Sequence, residues 1–230
     1  MTLNKTGIEW CDKTWNPVTG CLHNCDYCYA RKIATRFSGC KSWPNGFEPM
    51  FHNERLVDPS KEKKPQSIFV CSMADLFGEW VPDFWHKQIF NECVVGYNHT
   101  YLFLTKNPKR YLTIPATYLK GNKWFGTTIT NAFDAGQRLH WLKRLESNTF
   151  VSFEPLLGDV GNIDLTGVRQ VIIGAQTNPT RTPRFDWIMN IQKAADRAGA
   201  KVFCKDSLSY LNVGETNNYF RRELCWGLHK

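Results

Sequence analysis

The sequence predicts an α/β fold: a partial (β/α)6-type barrel of parallel strands, with a cysteine-rich loop after the first strand. Three observations predict it. Short, continuously apolar runs recur along the chain, most of them ending on a polar residue, and such runs suit strands buried on both faces of a parallel sheet. Between them lie stretches whose apolar residues repeat at three and four positions, the helical period. The two kinds of segment alternate about six times, the pattern of right-handed βαβ units.

The first strand, 14–19, is the weakest, because Pro17 marks it as irregular or an edge. A helix over 26–37 follows the cysteine loop. Residues 38–66 hold four prolines and many charges, and read as an insertion or lid between the first helix and the second strand. Further strands are predicted at 67–73, 100–105, 123–129, 149–154, 170–175 and 200–205. A helix over 83–95 places Phe84, Ile89, Cys93 and Val94 near one face. A second spans 132–145, and Trp85, Phe90 and Trp141 fit helix faces as core aromatics. A third, 186–198, opens on Asp186 and stops at Gly199. No composition break divides the chain, so residues 1–230 read as one domain.

A chain of 230 residues buries roughly 70–75% of its unfolded surface and needs no disulfides to hold a core. With 42% apolar and 22% charged residues, long disorder, collagen and coiled coil are excluded. No run approaches the roughly 18 apolar residues of a membrane span. The first ten residues lack the apolar segment of a signal peptide, which predicts a cytoplasmic protein with no membrane partner. Lys plus Arg number 29 against 21 Asp plus Glu, a net charge of +8. That balance is compatible with nucleic acid as partner, and equally with a plain basic surface. Nine cysteines in a reducing compartment are not staples; clustered ones bind metal or do chemistry.

Residues 20–30 carry the sharpest signal: Cys21, Cys25 and Cys28 in C-x3-C-x2-C spacing. Three thiolates this close converge only if a loop wraps around something. Iron–sulfur clusters are held by Cys thiolates, four for a cubane, so a set of three leaves one iron open to a ligand. The competing reading is a structural zinc site, which needs a closed shell of four; His23, Cys11 or Cys40 would be the fourth ligand. The corresponding function is a nonenzymatic zinc- or cluster-stabilised nucleic-acid-binding protein.

In β/α barrels the site forms at the C-terminal strand ends, and this sequence puts a polar group at nearly every one. They are Ser72 and Asp75, Thr105 and Lys106, Thr128 and Thr130, Glu154, Gln176, and Lys205 with Asp206. Only an enzyme accounts for that distribution. The plainer alternatives are helix caps at Asp75 and Asp206 and a surface lysine at Lys106. Glu154 precedes Pro155, whose missing N–H makes a capping role difficult. Arg31, Lys32 and Arg36, with Lys61, Lys63 and Lys64, form a basic rim or a solvated charge run. Cys71 and Cys204 read as small buried hydrophobes.

The C-x3-C-x2-C motif with Tyr27 before its third Cys resembles the radical S-adenosylmethionine (SAM) superfamily. The resemblance implies a [4Fe–4S] cluster on the three Cys and SAM chelated to the fourth iron. One-electron reduction, by a donor such as flavodoxin or ferredoxin, would cleave SAM to a 5′-deoxyadenosyl radical that abstracts a hydrogen atom. It also implies Tyr27 near the adenine, Ser72 and Asp75 at the SAM ammonium, and Thr128 and Glu154 at its ribose or methionyl part. Gln176 is a further cofactor-binding candidate. More closely, 15–21, 28–30, 72–77, 104–106, 150–158 and 172–174 resemble the phage-linked three-Cys-motif family, a radical-SAM-like group of unassigned substrate. The sequence departs from that family in having Gly174-Ala175-Gln176 where Gly-Gly-Glu is expected, and in its shorter first cysteine spacing. The substrate classes left open are a nucleic-acid base or lesion, a nucleotide, and a glycine of a partner protein.

Overall fold

The structure is a computed structural model that describes residues 3–211 and 219–228. Seven parallel strands lie side by side in chain order: β1 (Lys13–Trp15), β2 (Ser67–Val70), β3 (Thr100–Thr105), β4 (Lys123–Thr128), β5 (Asn148–Phe153), β6 (Gln170–Ile173) and β7 (Lys201–Cys204). A two-residue strand, Asn4–Lys5, pairs antiparallel with β1 at the outer edge. Among the described residues no pairing joins β7 back to β1, so the sheet is an open partial barrel. The weak first strand is real but short. It stops before Pro17, and Val18–Thr19 turns away to pair with Met50–Phe51 of the insertion.

Four long helices make the crossovers: α1 (Tyr29–Arg36), α2 (Asp83–Val95), α3 (Ala132–Leu142) and α4 (Phe185–Ala198). The β5–β6 connection contains no helix. α4 ends where the sequence predicts, at Gly199 in the left-handed region (φ 68°), where glycine carries no Cβ penalty. Its N-cap is Arg184, and Asp186 lies inside the first turn. α2 corrects the predicted face. His86, Ile89, Phe90 and Cys93 are buried, while Phe84 and Val94 are exposed. At about 100° per residue, position 84 points away from the 86–89–90–93 stripe and 94 lies on its flank.

Strand alternation separates two packed layers. Ile68, Val70, Phe103, Phe125, Val151, Phe153, Ile173 and Val202 pack between sheet and helices. Phe69, Leu102, Trp124, Phe150, Ile172 and Phe203 face the barrel interior, where Trp10 and Trp226 cover them. The Trp226 indole donates to the Trp10 carbonyl at 2.8 Å. This aromatic plug fills the interior toward the strands' N-terminal ends and leaves the C-terminal mouth for a site. Cys71, Cys93 and Cys204 belong to the sheet–helix layer, and burial pushes the Cys71 and Cys204 thiols up to about 12.

The insertion braces the approach to the cysteine loop. His52 bonds Thr19 Oγ1 at 2.8 Å, and Arg55 donates to the Asn16 carbonyl at 3.1 Å while its own carbonyl accepts from the Trp15 indole at 2.8 Å. Gly20 (φ 86°) passes directly under this segment, so an added Cβ would stand 2.1 Å from the Glu48 carbonyl oxygen. Gly20→Ala is therefore expected to displace loop or insertion and cost about 1–3 kcal/mol, read as a lower urea midpoint. An unchanged midpoint would show that the close approach is not obligatory.

Candidate functional site

The cysteine loop is fixed at both ends. Gly20 N–H donates to the Met73 carbonyl at 3.0 Å, which lays the loop alongside the segment after β2. Asn24 takes the left-handed conformation (φ 54°), which Asn tolerates better than most residues. Cys28 N–H closes a turn on the Cys25 carbonyl at 3.1 Å. The Cys28 Sγ then caps α1, accepting from Arg31 N–H at 3.4 Å. Burial pushes the Cys21 thiol up to about 11, and a backbone bond at His23 lowers it in part; Asp75, Cys25 and Cys28 raise it further. The three thiols thus sit within one another's electrostatic range, although among the described residues no three His, Cys, Asp or Glu side chains converge in ligating positions.

Three thiolates at the loop fit a group that is held by cysteine sulfur and keeps one position open. His23 Nε2 is engaged by Asp75 Oδ2 at 2.7 Å. Cys40 is exposed, and Cys11 is buried in the barrel-interior layer. Among the described cysteines none beyond Cys21, Cys25 and Cys28 stands at the loop, so a closed shell would have to draw on the Nδ1 of His23 or on Asp26.

Asp75 has a different environment from the one expected of an ammonium acceptor. Its Oδ1 accepts from Phe77 N–H at 3.0 Å and Thr105 Oγ1 at 2.6 Å; its Oδ2 accepts from Lys106 N–H at 2.9 Å and meets His23. Burial would push this carboxyl up, but the bonds from His23, Lys106 and Thr105 outweigh it and hold the pKa below its ordinary value. All acceptor positions are committed, so Asp75 ties the cysteine loop to the end of β3.

A cavity of about 400 Å³ opens at the mouth. Cys25 and Tyr27 line it from the loop, Lys106 from the end of β3, Thr130, Asp134 and Arg138 from beyond β4, and Gln176 and Arg181 from the hairpin after β6. Of the sequence candidates, the cavity brings together His23, Cys25, Tyr27, Lys106, Thr130 and Gln176. The Gln176 amide donates to the Pro179 carbonyl at 2.6 Å. Cys21, Cys28, Ser72, Asp75, Thr128 and Glu154 are not among its lining residues. Ser72 Oγ donates to Asn16 Oδ1 at 3.2 Å, and its carbonyl takes the Tyr29 hydroxyl at 2.6 Å. The buried Thr128 gives its carbonyl to Arg138 at 2.6 Å. Glu154 pairs with Lys205 across Gly174.

Lys106 is the residue that sequence reasoning undervalued. Its ammonium stands 5.5 Å from the Tyr27 ring centre and has no ion pair among the described residues. Burial lowers its pKa, but Tyr27, Cys25 and Asp75 together raise it, so the charge persists. The signal was present, since Lys106 ends an apolar strand. Asp134, which accepts from Thr130 and pairs with Arg138 at 2.8 Å, and Arg181 carried no such signal.

No curated protein matches the chain. In three dimensions it is similar to spore photoproduct lyase complexed with dinucleoside spore photoproduct, with a TM-score of 0.59 and 11% identity over 89% of this chain and 79% of that one. A mutant of the same lyase gives a TM-score of 0.58 at 10% identity, over 87% and 78% of the two chains. These likenesses show a shared α/β fold with a mostly parallel central sheet. Residues 5–222 match the model of a family described as "Protein of unknown function (DUF5131)", and the chain belongs to that family.

Proposed function

We propose that the protein is a radical SAM enzyme. It reductively cleaves SAM at a [4Fe–4S] cluster held by Cys21, Cys25 and Cys28, and acts on a substrate of the nucleic-acid class. The observation that carries this reading is the cavity whose walls join the cysteine loop to the strand ends, with Cys25, Tyr27, Lys106 and Gln176 around one space. A cluster bound by the loop would supply the electron for SAM cleavage. The chain's own residues supply the rest. The Lys106 ammonium, without a carboxylate partner among the described residues, suits the SAM carboxylate. Tyr27 offers a ring to the adenine, and the Gln176 amide orients a polar group. With Asp75 committed, Asp26 on the cavity wall is the carboxylate available to the SAM ammonium. The Thr128 carbonyl holds Arg138 of this wall.

The fold supports the reading, since spore photoproduct lyase is a radical SAM enzyme whose bound dinucleoside is a nucleic-acid fragment. The +8 charge suits such a substrate. A reductant such as flavodoxin or ferredoxin completes the reaction. The finer resemblance to the phage-linked three-Cys-motif family, the cytoplasmic location and the one-domain organisation belong to the same reading. No described helix is long and apolar enough to cross a membrane.

The test is anaerobic reconstitution followed by SAM and dithionite. The expected result is release of 5′-deoxyadenosine and a SAM-dependent change in the electron paramagnetic resonance spectrum of the reduced protein. Lys106→Met should weaken SAM binding about 10- to 100-fold, the loss of one charge-assisted hydrogen bond. One tightly held zinc with no iron, or a spectrum indifferent to SAM, would overturn the reading in favour of a zinc-stabilised binding protein.

A further inference from the structure

α1 is thinly covered. Of its eight residues only Ala30 and Ala34 are buried. Tyr29, Ile33 and Phe37, the last being the C-cap, follow one another at i, i+4 and i+8 and are 52%, 40% and 50% exposed. That spacing puts them on one helix face. Leu22 of the cysteine loop is exposed as well. Lys32 and Arg36 border this face along one edge and the helix carries no acidic residue, while Arg31 lies on the far side, bonded to Asn24; the Arg36 guanidinium lies 5.5 Å from the centre of the Phe37 ring. It starts on Cys28, whose Sγ is its cap. Eight residues at about 1.5 Å each run about 12 Å, so the whole stripe lies close to a proposed cluster ligand.

We propose that this face of α1 docks an acidic redox protein, which passes one electron from its reduced centre to the cluster. The proposal rests on the cluster reading above. In the transfer the partner is oxidised by one electron, the cluster is reduced by one, and no bond forms or breaks. An apolar strip bordered by charge is the anatomy of a protein interface. Its small size suits the brief, weak encounters of electron transfer. Lys32 and Arg36, the two cations along one edge of this face, favour an acidic partner and accelerate its approach. A second copy of the chain is a poorer fit, because a two-fold contact would set this cationic edge against itself. Nucleic acid would use the cations but leave Ile33 and Phe37 unused.

The test compares wild-type, Arg36→Glu and Ile33→Asp proteins, all reconstituted, with fully reduced flavodoxin as probe. Both side chains are exposed, so equal melting temperatures are expected and are checked first. Flavodoxin binding, followed by titration, should weaken about tenfold or more in each variant, and the wild-type affinity should fall with added salt. Cluster reduction by flavodoxin should slow in parallel, while reduction by dithionite stays unchanged. Variants that bind flavodoxin and accept its electrons as well as wild type would overturn the proposal. So would a wild-type dimer that Ile33→Asp dissociates, or salt-independent binding. If dithionite reduces no cluster in the wild type, the cluster reading fails instead, and the two failures are thereby separated.

Discussion

Asp75→Ala is expected to lower stability by about 3–5 kcal/mol, the usual cost of removing one partner from a buried charged network. The carboxylate accepts from four donors on three segments: His23, Phe77, and the Thr105–Lys106 strand end. Alanine strands all four in a buried place, and each buried unmet donor costs about 1–3 kcal/mol before relaxation. For a chain of this size that corresponds to a melting temperature lower by roughly 10 °C or more. Asp75→Asn should fall between, because one amide oxygen can still serve Phe77 and Thr105 while the amide nitrogen faces the Lys106 N–H. The pH dependence follows from the depressed carboxyl pKa. The stability Asp75 adds is complete above the ordinary carboxylate value, near 4, and is lost as pH falls through the lower folded value. Thermal melts of wild type should therefore drop in acid more steeply than those of Asp75→Asn. If the alanine variant melts with wild type, the network carries little and the loop is held by its backbone bonds.

The same residue shows where sequence reasoning stops. The position after β2 is legible, because an apolar run ends in a polar group at a barrel's functional end. Its role is not, because the donors lie at positions 23, 105 and 106, distant in sequence and joined only when β1, β2 and β3 pair. Lys106 follows the same logic: the strand end is readable, but the burial and the Tyr27 ring above it are tertiary. The strands β2 to β7 were legible because each is an uninterrupted apolar run between polar turns. β1 was blurred, since Val18–Thr19 exchanges the main sheet for Met50–Phe51, a partner over 30 residues away. On α2 the apolar residues outnumber the positions one face can bury, and only the full 100° period, which sets Phe84 opposite Ile89, Phe90 and Cys93, tells them apart.

Cys21→Ala, Cys25→Ala and Cys28→Ala are each expected to abolish cluster assembly, whereas Cys40→Ala should leave it intact. Wild type should hold about four irons and four sulfides per chain on the cubane pattern. Among the described residues no other cysteine stands near the loop to substitute. Cys11 is buried in the barrel-interior layer, Cys71, Cys93 and Cys204 are sealed between sheet and helices, and the Cys225 thiol is spent on the Arg169 carbonyl. Cys21 adds an energetic reason. Its thiol is pushed up to about 11 chiefly by burial, and also by Asp75 and the other two cysteines. A bound cation reverses that penalty by deprotonating the ligand outright, so removing Cys21 removes a thiolate that only the bound group would stabilise. Cys28 needs a separate control because its sulfur also caps α1. Cys28→Ser restores a capping oxygen, worth about 1 kcal/mol over alanine, but supplies no thiolate. It should therefore recover the melting temperature lost by Cys28→Ala without recovering iron. Iron and sulfide assays with visible absorbance on each variant decide the matter. Full iron content in any of the three alanine variants, or its loss in Cys40→Ala, would place the cluster elsewhere.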